Sequence, residues 1–552
     1  MAPKGSGTNR AGALFGVTGI ANGSPVRTVE SVHVLITLLL ATVAAAGPHL
    51  GDAAPGTPIV AVRIVRHDVF DIDDPKTSSW PYRAAAALHV LSRERYIRSI
   101  LLFREGEPLD AGKLAESERL LRATGFLNPV TIRARAVEGG AEVVVETRDQ
   151  WTTEVALNFG VAGSRSRVGF SLSEQNFLGL GKSLSLDARR DDERDSLTVS
   201  YDDPQFLGSR WQLAAGYRDA SDGTMNALRF EYPFYSLATQ RAGGGAWRHE
   251  TLREYLWSGG EKTVSGDASR SVLRLWGGMR MPWNDGITDR LTLGIFHDRA
   301  SYDDWRWQDG APYPDPEDRE LSGIEVGWEH QADRWAVVQG FRVWVRQEDV
   351  PLGPNWRASL GVSAPLFGGD QTRLPFAGSV TAGTLRGAWY SWLNVAISGR
   401  LEDGSAANGV LHVDGGTART GRSGVRMRAA LDLGNDLDLD RQLTLGADTG
   451  LRGWEPDWFD GTSRAVANVE WRRLITDDFL HVLAVGVVVF ADGGTSWGAR
   501  IGAPTDGLRG DVGVGLLGEI TRASILRVLR ADIAWPDTGG RPTIILSGVS
   551  LF

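Results

Sequence analysis

The chain has 552 residues, too many for one ordinary domain, with 68 glycines, 20 tryptophans and no cysteine. The missing cysteine excludes a disulfide scaffold, a thiolate metal site and a lipidated anchor cysteine. A formal net charge of -9 argues against nucleic acid as a partner, while the Gly- and Trp-rich composition suits a membrane barrel with aromatic residues at its two interfaces.

The one continuously apolar segment is 32–47. Its core, 34–43, has the length of a signal-peptide apolar region and is short for a membrane span. Ala44, Ala45 and Ala46 supply small residues for cleavage. The preceding stretch, with Lys4, Arg10 and Arg27, is long for a charged leader, so the true start is expected near Val26. Residues 1–46 are therefore expected to be an export signal and 47–57 a Pro/Gly/Ala linker.

Residues 58–149 have a texture of their own. A strand is expected at 59–65, where branched residues favour a pleated surface. A helix pattern covers 95–103 and is stopped by Gly106 and Pro108. A second helix, 110–124, puts Leu114, Leu120 and Leu121 toward one face and Glu116, Glu118 and Arg119 mostly on others, with Gly125 as its C-terminal cap. Strands at 130–137 and 142–147 follow, joined through Gly139-Gly140, which supply the positive φ of a tight hairpin. Residues 66–92 are too short to hold a second module of this kind.

The order strand, helix, helix, strand, strand, together with Leu102-Phe103-Arg104-Glu105-Gly106-Glu107-Pro108-Leu109 and Glu116-Ser117-Glu118-Arg119-Leu120-Leu121-Arg122, resembles a POTRA domain of the BamA, TamA and FhaC superfamily. Gly125-Phe126-Leu127 and the exit Glu146-Thr147-Arg148-Asp149-Gln150-Trp151 agree with it. The resemblance implies a periplasmic module that offers a strand edge to unfolded client chains, with Val62 and Val145 as its candidate edge residues.

From 152 to 552 helical periodicity gives way to period two. Val155, Leu157, Phe159 and Val161 alternate with small or polar residues, as do Leu197, Val199 and Tyr201, and Leu228, Phe230, Tyr232 and Phe234. About 400 residues at roughly 25 per strand and connection predict an antiparallel transmembrane barrel of about 16 strands. Closure removes the unpaired edges that lipid forbids. The stretch 302–319 is expected to be a long outward loop, and Gly434-Asn435 a brief turn. Asp432, Asp436, Asp438 and Asp440 alternate with leucine and are expected on a lumen-facing strand.

Segments 173–182 and 202–208, with Asn176-Phe177-Leu178-Gly179 and Asp203-Pro204-Gln205-Phe206, resemble the opening strands of the same superfamily. Arg452-Gly453-Trp454 resembles its Arg-Gly-aromatic loop tip, which folds back into the lumen, and Phe490, Asp492 and Gly494 match its lumen strand. Asp492 is the expected partner of Arg452, with Glu470 on the intervening strand as a second candidate. A planar guanidinium fork can bond two carboxylates and stays charged at any working pH. The end of the chain resembles a targeting strand at Phe552, but Gly548 and Ser550 stand where apolar residues are expected.

No metal-ligand spacing of histidines and no Gly-x-Ser-x-Gly elbow is present, so neither enzyme activity nor a cofactor or metal is expected. The resemblance implies a bacterial outer-membrane factor for protein assembly, insertion or translocation. Its expected partners are membrane lipid, unfolded outer-membrane or secreted clients, and periplasmic accessory proteins. A partner-specific secretion pore and a passive porin-like barrel are the alternatives.

Overall fold

The structure is a computed structural model, and it describes residues 51–162, 165–282, 287–523 and 528–547. The expected export signal and Phe552, with Gly548 and Ser550, lie outside the described residues.

An α+β unit comes first: β1 (Ile59–His67), α1 (Trp80–Leu88), α2 (Glu94–Ile100), α3 (Ala111–Arg122), β2 (Leu127–Val137) and β3 (Gly140–Asp149). The sheet order is β1-β3-β2, with β1 parallel and β2 antiparallel to β3. Asp110 caps α3, its carboxylate accepting from the Gly112 and Lys113 amides. The helices pack Ile97, Ile100, Leu114 and Leu121 onto Val130, Ile132, Val143 and Val145, giving one buried cluster. Helix α1 has no counterpart in the sequence reading. Its run of alanines, 84–87, carries no apolar periodicity to mark a face.

Both expected edge residues need correction. Val145 lies on β3, the central strand, paired to Ile64 on one side and Ile132 on the other, with its side chain fully buried. Val62 does lie on an edge strand, but its N–H donates to Glu105 Oε1 at 3.1 Å and its carbonyl accepts from Arg98 Nη2 at 3.1 Å. Side chains close the edge at that position.

Twenty strands, from Thr153–Ala162 to Thr543–Ser547, then form one closed antiparallel barrel among the described residues. The last strand pairs with the first through Ile545 with Ala162 and Leu546 with Val161. The count exceeds the expected 16 because many connections are minimal. Trp389–Glu402 and Ser405–Arg419, for example, are joined by Asp403-Gly404 alone.

Alternation sorts the two faces. Along Ser463–Phe479, Val469, Trp471 and Ile475 are exposed on the outside, while Asn468, Glu470 and Arg472 are buried inside. The strand Arg509–Ile520 likewise turns Val512, Val514 and Leu516 outward. So continuous an apolar exterior over a polar interior is what immersion in lipid requires. No described helix is long and apolar enough to cross a membrane.

Two loop readings are also corrected. Ile287–Trp307 extends through Tyr302, and the next strand begins at Arg319, which leaves only 308–318 as connection. Gly434-Asn435 ends the strand Ser423–Asn435 and opens a long loop, 436–462, so Asp436, Asp438 and Asp440 lie on that loop and only Asp432 on the strand. Asp438 and Asp440 pair with Arg319 at 2.9 and 3.4 Å, and Asp432 with Arg464 at 2.7 Å. These carboxylates are held by arginines, and no metal-ligating cluster occurs among the described residues.

Candidate functional site

The loop 436–462 starts at the barrel end opposite the α+β unit and folds into the lumen. Leu445 and Phe459 exchange backbone hydrogen bonds, each close to 3 Å, which ties the loop into a narrow tongue. Leu445, Leu451 and Phe459 pack with Ala430 and Val466 of the wall, and Trp454 covers them, its ring tilted against Phe459 at 4.8 Å between centroids. This apolar footing fixes the tongue so that the residue after Leu451 is aimed at the wall.

That residue is Arg452. Its Nε and Nη2 each donate to one oxygen of Asp492 at 2.6 Å, and its Nη1 donates to Glu470 Oε1 at 2.5 Å. The guanidinium carbon lies 3.5 Å from the centre of the Phe490 ring. The fork thus meets a bidentate carboxylate, a second carboxylate and an aromatic face together, a set that a lysine cannot match.

The neighbours complete the charge balance. Glu470 also pairs with Arg472 and Arg530, both at 2.7 Å, and Arg452 Nη1 lies 3.6 Å from Asp532. Arg530 itself pairs with Asp532. Asn468 Nδ2 donates to Asp492 Oδ1 and to the Gly450 carbonyl, both at 2.8 Å. All these groups are almost fully buried. Packing explains the glycines as well. A Cβ on Gly453 would stand 2.6 Å from the Asp511 Cβ and 3.0 Å from the Pro536 nitrogen, and one on Gly494 would press on Ala465, Leu445 and Leu451.

The structure therefore brings Arg452, Glu470, Phe490 and Asp492 into one cluster, with Gly453, Trp454 and Gly494 allowing the close fit. Sequence reading missed Asn468, Arg472, Arg530 and Asp532. The signal was present: polar residues at 468, 470 and 472, and at 530 and 532, share the inward period of strands whose outer face is apolar.

At the other end the α+β unit lies across the barrel turns. Arg93 N–H donates to the Gly179 carbonyl and its Nε to the Leu178 carbonyl, at 2.9 and 2.8 Å. Gly181, at φ +67°, lies against the hydroxyl end of the Tyr96 ring, and a Cβ there would stand 2.1 Å from its Cζ and 2.2 Å from its Oη. Ser99 Oγ bonds Gln205 Oε1 at 2.7 Å, and the Leu237 N–H donates to Glu116 Oε1 at 2.7 Å. The Asn-Phe-Leu-Gly and Asp-Pro-Gln-Phe segments thus seat this unit.

A buried polar joint lies beside them. Asp149 Oδ2 accepts from the amide and the hydroxyl of Ser92 at 2.8 and 2.7 Å, and Asn176 Nδ2 donates to that hydroxyl at 2.8 Å. His89 Nε2 lies 3.7 Å from the same carboxylate. Burial pushes the Asp149 carboxyl up to about 6, against the lowering effect of its Ser92 hydrogen bonds.

Fold and site together define a β-barrel of the outer-membrane type whose lumen is crossed by an arginine-locked loop. No family model matches the chain, and no curated protein matches it. Among solved structures, it is similar to BamA from Haemophilus ducreyi lacking POTRA domains 1–3, at 14% identity and TM-score 0.38, over 88% of this chain and 84% of that one. It is also similar to CdiB from Escherichia coli, at 14% identity and TM-score 0.42, over 88% and 76%. CdiB from Acinetobacter baumannii gives 10% identity and TM-score 0.41, over 88% and 73%.

Proposed function

We propose that this chain is an outer-membrane assembly or translocation factor. In this reading the α+β unit is a POTRA-type module in the periplasm that receives unfolded chains, and the barrel inserts or passes them. The observation that carries the reading is the Arg452 lock, a buried three-arginine, three-carboxylate cluster that braces a long loop inside the lumen. The braced loop takes up lumen space, and the α+β unit lies across the barrel turns at the other end; together they favour this reading over a passive pore.

The receiving edge is β1 beyond Val62. Successive residues of a strand turn their backbone groups to opposite edges, so Ile64 and Arg66 point the same way as Val62 without its side-chain caps. A client strand would add there by backbone pairing. The partners are lipid around the barrel, unfolded outer-membrane or secreted proteins, and accessory proteins that deliver them. No covalent step is involved, and we propose no cofactor.

The test is reconstitution into lipid vesicles with a urea-unfolded outer-membrane barrel supplied as client. Folded client should accumulate faster than in empty vesicles, or client should become protected inside them, and Arg452→Ala should reduce either gain. Insertion and passage both equal to empty vesicles would refute the proposal.

A further inference from the structure

A second element enters the lumen, this time from the end that carries the α+β unit. Between the barrel strands Arg319–Ala332 and Gly353–Ser363, the chain forms a small hairpin in which Trp335–Val338 pairs with Glu348–Pro351. It belongs to no wall, because the barrel ladder passes directly from one flanking strand to the other. Neither its pairing nor its position is needed to close the barrel.

Its base is fastened to the α+β unit. Arg122 on α3 grips Asp349 with two hydrogen bonds, Nε to Oδ2 at 2.8 Å and Nη2 to Oδ1 at 2.7 Å. Arg346 Nη2 donates to the Gly125 carbonyl at 2.6 Å, and Asn128 Nδ2 donates to the Gln347 carbonyl at 3.2 Å. The Arg119 guanidinium sits 4.5 Å over the Trp335 ring.

Its tip reaches two separate parts of the wall. On one side Arg426 Nη2 donates to the Gly340 carbonyl at 2.7 Å and its Nε to the Phe341 carbonyl at 3.0 Å, while Phe341 packs on Tyr390 at 4.9 Å and on Trp392 at 5.4 Å. On the other, Glu519 accepts from the Trp344 and Val345 amides at 2.5 and 3.3 Å, and Val343 is buried with Val488, Phe490 and Leu517. Phe490 is the ring on which Arg452 stacks. The two intrusions, one from each end, therefore both reach the part of the wall that carries Phe490.

We propose that hairpin 333–352 is a strap that closes the lumen, and that the α+β unit holds it shut through Arg122 and Asp349. Tip and base differ in kind. The tip is anchored by apolar contacts and by backbone groups bonded to buried Arg426 and Glu519, whereas the base is held across a domain junction by one ion pair, a few hydrogen bonds and the Arg119–Trp335 contact. The base bonds hold both legs of the hairpin against the α+β unit, so the tip keeps its wall contacts only while that unit stays in place; motion of the unit frees the tip, and the strap swings out toward the periplasmic side. The inference goes beyond the proposed function, since a strap narrows the lumen whatever the barrel passes.

The test is conductance of the full chain in a planar lipid bilayer, which needs no client. The wild type should conduct weakly. Asp349→Ala, which leaves Arg122 its 2.5 Å contact with Glu118, should raise conductance several-fold, as should replacing 340–346 by a short Gly-Ser turn. The chain has no cysteine, so Asn128→Cys with Gln347→Cys in the Asp349→Ala background creates the only two thiols. A cleavable thiol crosslinker should then return conductance to the wild-type level, and cleaving it should raise conductance again. Wild-type conductance from both the Asp349→Ala and the shortened-hairpin proteins, each shown to be a folded barrel by its heat-dependent gel migration, would overturn the strap. So would a crosslink that leaves conductance high.

Discussion

Arg452→Ala is the perturbation whose consequence is best determined. It removes three short hydrogen bonds and the stack on Phe490. The two carboxylates do not suffer equally. Glu470 keeps Arg472 and Arg530, both at 2.7 Å, whereas Asp492, among the described residues, keeps the Asn468 amide at 2.8 Å but no cation. The loss is therefore concentrated on Asp492, a buried carboxylate left without a cation. Stranding one partner of a buried pair costs about 3–5 kcal/mol, and the lower end applies here because Glu470 remains compensated. Arg452→Ala with Asp492→Asn should recover a large part of that, because the stranded charge is gone, giving a coupling of about 2–3 kcal/mol in a double-mutant cycle. The assay is the guanidinium unfolding midpoint in detergent, followed by tryptophan fluorescence, for wild type, both single variants and the double. An Arg452→Ala midpoint equal to wild type, or strictly additive single variants, would refute the lock.

Three further outcomes follow from other contacts. With the Asp149 carboxyl held at about 6 against an ordinary 3.8, the folded state carries an extra proton between those values; stability from this group is complete below the lower value and is lost as pH rises through the upper, about 3 kcal/mol in all. Asp149→Asn should flatten this slope and leave the α+β unit more stable than wild type at pH 8, as read from unfolding midpoints between pH 4 and 8. Gly181→Ala forces a methyl against the hydroxyl end of the Tyr96 ring at a positive φ, which should cost about 1–3 kcal/mol of docking and speed protease cleavage between the α+β unit and the barrel; an unchanged digestion rate would count against the seating. Leu121→Ala, at a fully buried position, should destabilise the α+β unit by about 2–5 kcal/mol while the barrel keeps its heat-dependent gel migration.

Much of this architecture is written in local pattern. Period-two alternation in an apolar-outside strand needs only lipid on one face and polar neighbours on the other, so a barrel is expected from residues such as Val469 through Arg472 before any pairing is known. Arg452 and Asp492 are legible because Arg452-Gly453-Trp454 and Phe490-Ala491-Asp492 resemble a known lumen loop and its facing strand, not because of any local period. Strand number is not local. It depends on how tightly each turn closes, and connections as short as Asp403-Gly404 raise it to 20. Sheet order is not local either, and it moves Val145 from an expected edge to the centre, because β3 is flanked by a strand that precedes it by many residues. The strap and the cations around Glu470 depend on tertiary structure for the same reason. Their partners lie far away in sequence, and only the folded barrel with the α+β unit docked on it brings Asp349 to Arg122, Val343 to Phe490 and Arg530 to Glu470.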